Sequence, residues 1–258
     1  DKTLNYTGTA IGVGANTVTL SGGGTFNSGG MTLDNEQSKL LLNSITLDIA
    51  STSSDSLGLD VDADSIVSAL VVGHTTPISI ASGITLSGAI DVTAGSVKLN
   101  EPGTLASTVT MSGGTLDIDE TSTLSGALSH SADITIDVAT SRTLTYSGAP
   151  VDIGANTLTL RGGGVLSNTN AIVLNNADSL LSLEDSLTVG SASVTTASNA
   201  DKGLAVNASG TFTSLVVSAD TELNIADGIT LSGAAEIEEG ATLTLTSTGT
   251  LGSTLNLK

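Results

Sequence analysis

Cysteine and tryptophan are absent from this chain, and phenylalanine and tyrosine occur only twice each. Without cysteine there is no disulfide framework and no thiol chemistry. With aromatics at 2% of 258 residues, a core has to be built from aliphatic side chains, and the ring platforms that usually hold sugars are missing. Basic residues are scarce as well. Seven lysines and arginines stand against 26 acidic residues, a formal charge of −19 that repels nucleic acid and anionic lipid. No apolar run approaches the roughly 20 residues of a membrane-spanning helix. The chain opens at Asp1 with no signal-peptide pattern, which is the expectation for a mature product or an excised segment.

What the chain has in quantity is Leu, Val, Ile and Ala, set among Thr, Ser and 30 glycines, with only three prolines. β-Branched residues suit a pleated surface and glycine suits its corners, so many short strands are expected. The mean hydropathy of +0.30 and the alternation of apolar residues indicate a core and argue against disorder despite the charge.

A long internal repeat organises the sequence. TLNYTGTAIGVGANTVTLSGGGTF (3–26) matches TLTYSGAPVDIGANTLTLRGGGVL (143–166) at 13 of 24 positions, offset by 140. TPISIASGITLSGA (76–89) matches TELNIADGITLSGA (221–234) at 10 of 14, offset by 145, and GTLASTVTM (103–111) matches GTLGSTLNL (249–257), offset by 146. Copy one is therefore 3–111 and copy two 143–257, with 112–142 unduplicated. The drift in offset places short insertions in loops, where length change is tolerated.

Along the chain, NTVTLSG, TLDIDE, DITIDV and RTLTYSG alternate apolar and polar with period two, bounded by Gly, Ser, Asn or Asp. The nearest helix candidates, 36–44 and 177–185, read equally well as strand and are taken as strand. A duplication that can be appended without limit suits a coil of strands better than a sandwich or barrel. The expected fold is all-β: one continuous parallel β-solenoid over 1–258, with turns of roughly 20 residues.

The phrases GITLSGAIDVTAGSVKL and the GTLTL-like runs resemble the passenger β-helices of bacterial autotransporters and large surface adhesins. That resemblance implies a secreted, surface-attached, rod-like protein. The chain departs from it in lacking the aromatic girdles of a membrane-barrel translocator. It also lacks the acidic, glycine-rich nonapeptide of calcium-binding β-rolls.

Candidate sites are few. The triple glycines at 22–24 and 162–164 follow a strand in both copies, but lack the third Gly and the helix of a dinucleotide fingerprint and the Lys-Ser/Thr pair of a P-loop. They read as corners with positive φ, or as places where backbone meets backbone. Asp60, Asp62 and Asp64 have the spacing that opens a calcium loop, but Ser65 and Val71 stand where its Gly and Glu belong. In a strand the three carboxylates would share a face, making at most a weak surface cation site for Ca2+. Copy two has Ala205, Asn207 and Ser209 at those positions. His74 and His130 have no partners for a metal site or triad, and Arg142 and Arg161 are the only arginines for carbohydrate chemistry. Threonine arrays at 17–19, 143–145, 157–159 and 242–250 raise ice binding, against the simpler reading that threonine favours outward strand positions.

The expectation is a non-enzymatic structural protein with no catalytic residue and no cofactor, extracellular or on a bacterial cell surface. Its expected partner is itself, joined end to end into a fibre or a longer stalk, with no nucleic acid and no membrane insertion. An adhesin segment binding a host or glycan ligand is the alternative, followed by a carbohydrate-active or ice-binding β-helix.

Overall fold

The structure, a computed structural model, describes residues 2–196 and 199–258. The described residues contain strands and turns and no helix. The chain divides into two compact units, Asp1–Leu128 and Ser129–Lys258, and each is a parallel β-solenoid.

In the first unit, Thr17–Ser21, Lys39–Asn43, Gly58–Ala63, Thr76–Ile80, Ser96–Leu99 and Thr115–Ile118 pair in that order, every pair parallel. In the second unit, Ile134–Val138, Thr157–Arg161, Leu180–Leu183, Ala200–Val206, Thr221–Ile225 and Leu243–Leu245 do the same. Between consecutive members the chain crosses to a second face through a longer bent strand, such as Thr85–Val92, or through two short pieces, such as Thr104–Leu105 and Thr108–Met111. Both candidates for helix are strand, at Lys39–Asn43 and Leu180–Leu183. Their leucines alternate inward, and β-pairing on both sides leaves no room for a 3.6-residue period.

Parallel in-register stacking puts like residues above one another. Val18, Leu40, Leu59, Ile78, Leu99 and Ile118 form one inward ladder of the first unit. Ile134, Leu158, Leu181, Leu204, Leu223 and Leu245 form its counterpart in the second. Burying a leucine of such a ladder contributes about 1.5–3 kcal/mol, so aliphatic stacking is the main stabilising force.

Where the long strands bend, the backbone of one turn lies against the next. Gly88 and Gly233 occupy the same place in GITLSGA of the two copies, with φ of 123° and 135°. The ladder register shifts beside both of them. A Cβ on Gly88 would overlap the Val67 carbonyl, 2.7 Å from its carbon, and one on Gly233 would stand 2.9 Å from the Phe212 carbonyl carbon. Glycine is required there by conformation and by space together.

Candidate functional site: glycine corners, carboxylate caps and open ends

The triple-glycine corner is built by the turn before it. In the second unit, Gly164 N donates to Val138 O at 3.1 Å and Val165 N donates to Arg142 O at 2.9 Å. A Cβ on Gly164 would lie 2.6 Å from Ala139 O and 2.7 Å from Arg142 O. In this copy the corner is thus where one turn's backbone passes under another, with Gly162 N donating to Asp185 and Gly164 N to Val138 O.

The GAN stretch before it closes a second corner. Ser38 is fully buried; its hydroxyl donates to Gly14 O at 2.6 Å and accepts Asn35 N at 3.0 Å, while Asp34 Oδ1 accepts Gly14 N at 2.7 Å. In the second copy Ser179 donates to Gly154 O at 2.6 Å and accepts Asn176 N at 3.0 Å, and Asn175 Oδ1 accepts Gly154 N at 2.9 Å. The clasp tolerates Asp or Asn because only the carbonyl-type oxygen is used. Sequence reasoning missed this clasp, although the aligned Asn35-x-x-Ser38 and Asn176-x-x-Ser179 carried the signal.

Many carboxylates serve as caps on the next turn. Asp55 accepts Thr75 N, Asp133 accepts Thr157 N and Asp220 accepts Thr242 N, at 3.0, 2.7 and 2.9 Å. Asp48 is the most heavily used: it accepts Ser28 N, the Ser28 hydroxyl, Gly29 N and Ile49 N. Partial burial pushes its carboxyl upward, but the Ser28 backbone and hydroxyl and the other two N–H groups outweigh this and hold it below the ordinary aspartate value. Elsewhere cations bridge turns: Lys98 Nζ lies 2.9 Å from Asp117 and 3.3 Å from Asp119, and Lys39 pairs with Asp60. The hydrogen bond from Lys98 to Asp117 raises the lysine's value, burial opposes it, and Asp119 adds to the rise.

The expected Asp60-Asp62-Asp64 face is split. Asp60 and Asp62 lie on Gly58–Ala63, Asp60 paired with Lys39. Asp64 lies past that strand's end, where Oδ1 accepts Thr85 N at 2.8 Å. In the second copy Ser209 Oγ accepts Thr230 N at 3.3 Å, the same cap made by a hydroxyl. Among the described residues, no three His, Cys, Asp or Glu side chains come together as a metal site. His74 is exposed, and His130 Nδ1 lies 3.0 Å from Ala132 O. Arg161 Nε donates to Asp137 at 2.7 Å, another link between turns. Among the described residues, Thr3, Thr25 and Thr46 align with Ile66 as the next rung, and Thr85, Thr104 and Thr123 align in another ladder.

The ends of the ladders differ from their interiors. Leu245 is 48% exposed, although Leu223, one rung before it, is wholly buried. Leu257 is 69% exposed where its counterpart Met111 is buried, and Leu4 is 65% exposed where Leu144 is buried. No protein-family model matches the chain, and no curated protein or solved structure matches it.

Proposed function

We propose that the protein is a structural β-solenoid of the bacterial cell surface or extracellular space, joining copies of itself end to end into a fibre. The observation that supports this is the contrast between terminal and interior rungs of the same pattern: Leu4, Leu245, Leu255 and Leu257 are about half to two-thirds exposed, whereas their repeats inside the units are buried. Among the described residues, Leu243–Leu245 pairs only with Thr221–Ile225, and Thr250–Leu257 only with Thr230–Ile237. Each therefore offers one unpaired backbone edge, a template for a further parallel strand. Joining one kind of end to the other is a heterologous contact that does not close on itself and so gives a filament. The charge of −19 disfavours side-by-side clumping of such filaments. The proposal assigns no catalytic residue and no cofactor.

Negative-stain electron microscopy and sedimentation of the 258-residue chain test it. Filaments are expected for the wild type, and shorter ones or none for a Leu255→Asp, Leu257→Asp variant, whose changes lie on the last strand. Dispersed single particles of the wild type at every concentration would overturn it.

A further inference from the structure

The two copies of the triple-glycine corner differ in what covers them. In the second, Thr157–Arg161 receives Ile134–Val138 as a parallel neighbour, with Ile134 against Leu158, Thr135 against Thr159 and Ile136 against Leu160. Thr157 N is capped by Asp133, and Gly164 N by Val138 O. In the first, Thr17–Ser21 carries the same inward pattern with Val18 and Leu20 but pairs, among the described residues, only with Lys39–Asn43. Gly24 N turns instead to its own neighbour, Gly22 O. Thr25 N still donates to Lys2 O at 2.9 Å, as Val165 N does to Arg142 O, although Gly23 lacks the positive φ of 74° that its counterpart Gly163 has.

Beside this strand lies a cavity of about 690 Å3, lined by Leu4, Leu20, Phe26, Ile45 and the three glycines. Gly23 is the informative one. It has no positive φ, and a Cβ placed on it would meet nothing within 4 Å. Its counterpart Gly163 would meet Thr140 Oγ1 at 3.2 Å, and Gly162 would meet the Val138 carbonyl carbon at 2.8 Å. In the first copy Gly22 and Gly23 are thus uncovered, whereas Gly24 still lies against the Lys2 carbonyl.

We infer that this cavity is a seat for one β-strand. Its occupant is an extended peptide segment with the chemistry of residues 133–140, DITIDVAT, lying parallel to Thr17–Ser21. Its aliphatic side chains at alternate positions stack on Val18 and Leu20, the one on Leu20 entering the cavity. The polar ones between them face outward beside Thr17 and Thr19, and the small residues that follow cross the glycines. Strand addition of this kind takes its affinity from backbone pairing and its selectivity from the alternate side chains. This goes beyond end-to-end assembly, because it assigns the seat to a peptide strand whether or not filaments form.

The test uses the 258-residue protein and a synthetic peptide of residues 131–140, followed by amide hydrogen exchange and fluorescence anisotropy. Saturable binding that protects the amides of 17–24 is expected. Changing the isoleucines of the peptide, Ile134→Asp and Ile136→Asp, is expected to weaken binding at least about tenfold, as the loss of two buried aliphatics requires. Gly23→Leu in the protein fits the free corner but blocks the path of the peptide, so it is expected to abolish binding with an unchanged circular dichroism spectrum. Binding indifferent to either change would overturn the inference. So would failure of saturating peptide to protect 17–24 at a protein concentration too low for filaments to form. Filament imaging reports on assembly alone, so failure of one proposal is distinguishable from failure of the other.

Discussion

Replacing Gly88 with alanine perturbs the bend of the first unit at its tightest point. At φ of 123° an alanine occupies backbone space that is essentially reserved for glycine, a strain of about 1–3 kcal/mol. The new methyl would also overlap the Val67 carbonyl, 2.7 Å from its carbon, so that carbonyl must move and its ladder hydrogen bond weakens. One such bond is worth about 1 kcal/mol, and more if the group is left buried without a partner. The expected cost is therefore about 2–4 kcal/mol, and up to about 6 if the carbonyl loses its partner altogether. Gly83, five residues earlier, provides the control, because its φ is 77° and an added Cβ meets nothing within 4 Å. Gly83→Ala should cost only the left-handed backbone, about 1–2 kcal/mol. The repeat supplies a second trial, since Gly233 and Gly228 hold the same two situations in the other unit. Urea denaturation followed by far-ultraviolet circular dichroism measures all four variants. If Gly88→Ala proves no more damaging than Gly83→Ala, the close approach of successive turns is not what demands glycine, and the reasoning fails.

Two further outcomes are expected. The lowered carboxyl of Asp48 contributes stability that is fully present above the ordinary aspartate value and is lost as pH falls through its depressed folded value. Asp48→Asn should therefore be less stable than wild type at neutral pH, with the gap closing in strong acid; a gap that stays constant across an acid titration of urea midpoints would refute this. Ser38→Ala and Ser179→Ala each strand a corner carbonyl and a corner N–H, at a cost of about 1–3 kcal/mol. Because the two serine hydroxyls make the same two bonds at the same distances, the two losses should agree in thermal and urea denaturation, and a large effect at one site alone would contradict their equivalence.

The fold was legible because the alternation in NTVTLSG and DITIDV and the repeat itself both report inward-facing positions directly. The strand assignment of 36–44 came from the same signal. The triple glycine was legible only as a corner: the partner that forbids a side chain, Val138 to Arg142, lies about a turn away in sequence and is found by stacking alone. Asp64 groups with Asp60 and Asp62 in the sequence because spacing within a strand is visible there, whereas the end of Gly58–Ala63 and the waiting N–H of Thr85 are not. The exposure of Leu4 and Leu257 was hidden for another reason. Each has a buried repeat of the same pattern, so nothing local separates a rung that is covered from one that is not.

The turn-on-turn construction has a mechanical consequence. Hydrogen-bond partners on adjacent turns lie 19–25 residues apart in the chain, so a tug on the end of either unit loads its outermost turn first. That turn can peel away while the rungs beneath keep their own neighbours, and each event frees about 70 Å of extended chain, taking roughly 20 residues at about 3.5 Å each. Stretched from its ends, such a unit yields in steps and absorbs work over a long extension, as a tether must if a sudden load is not to break it at once.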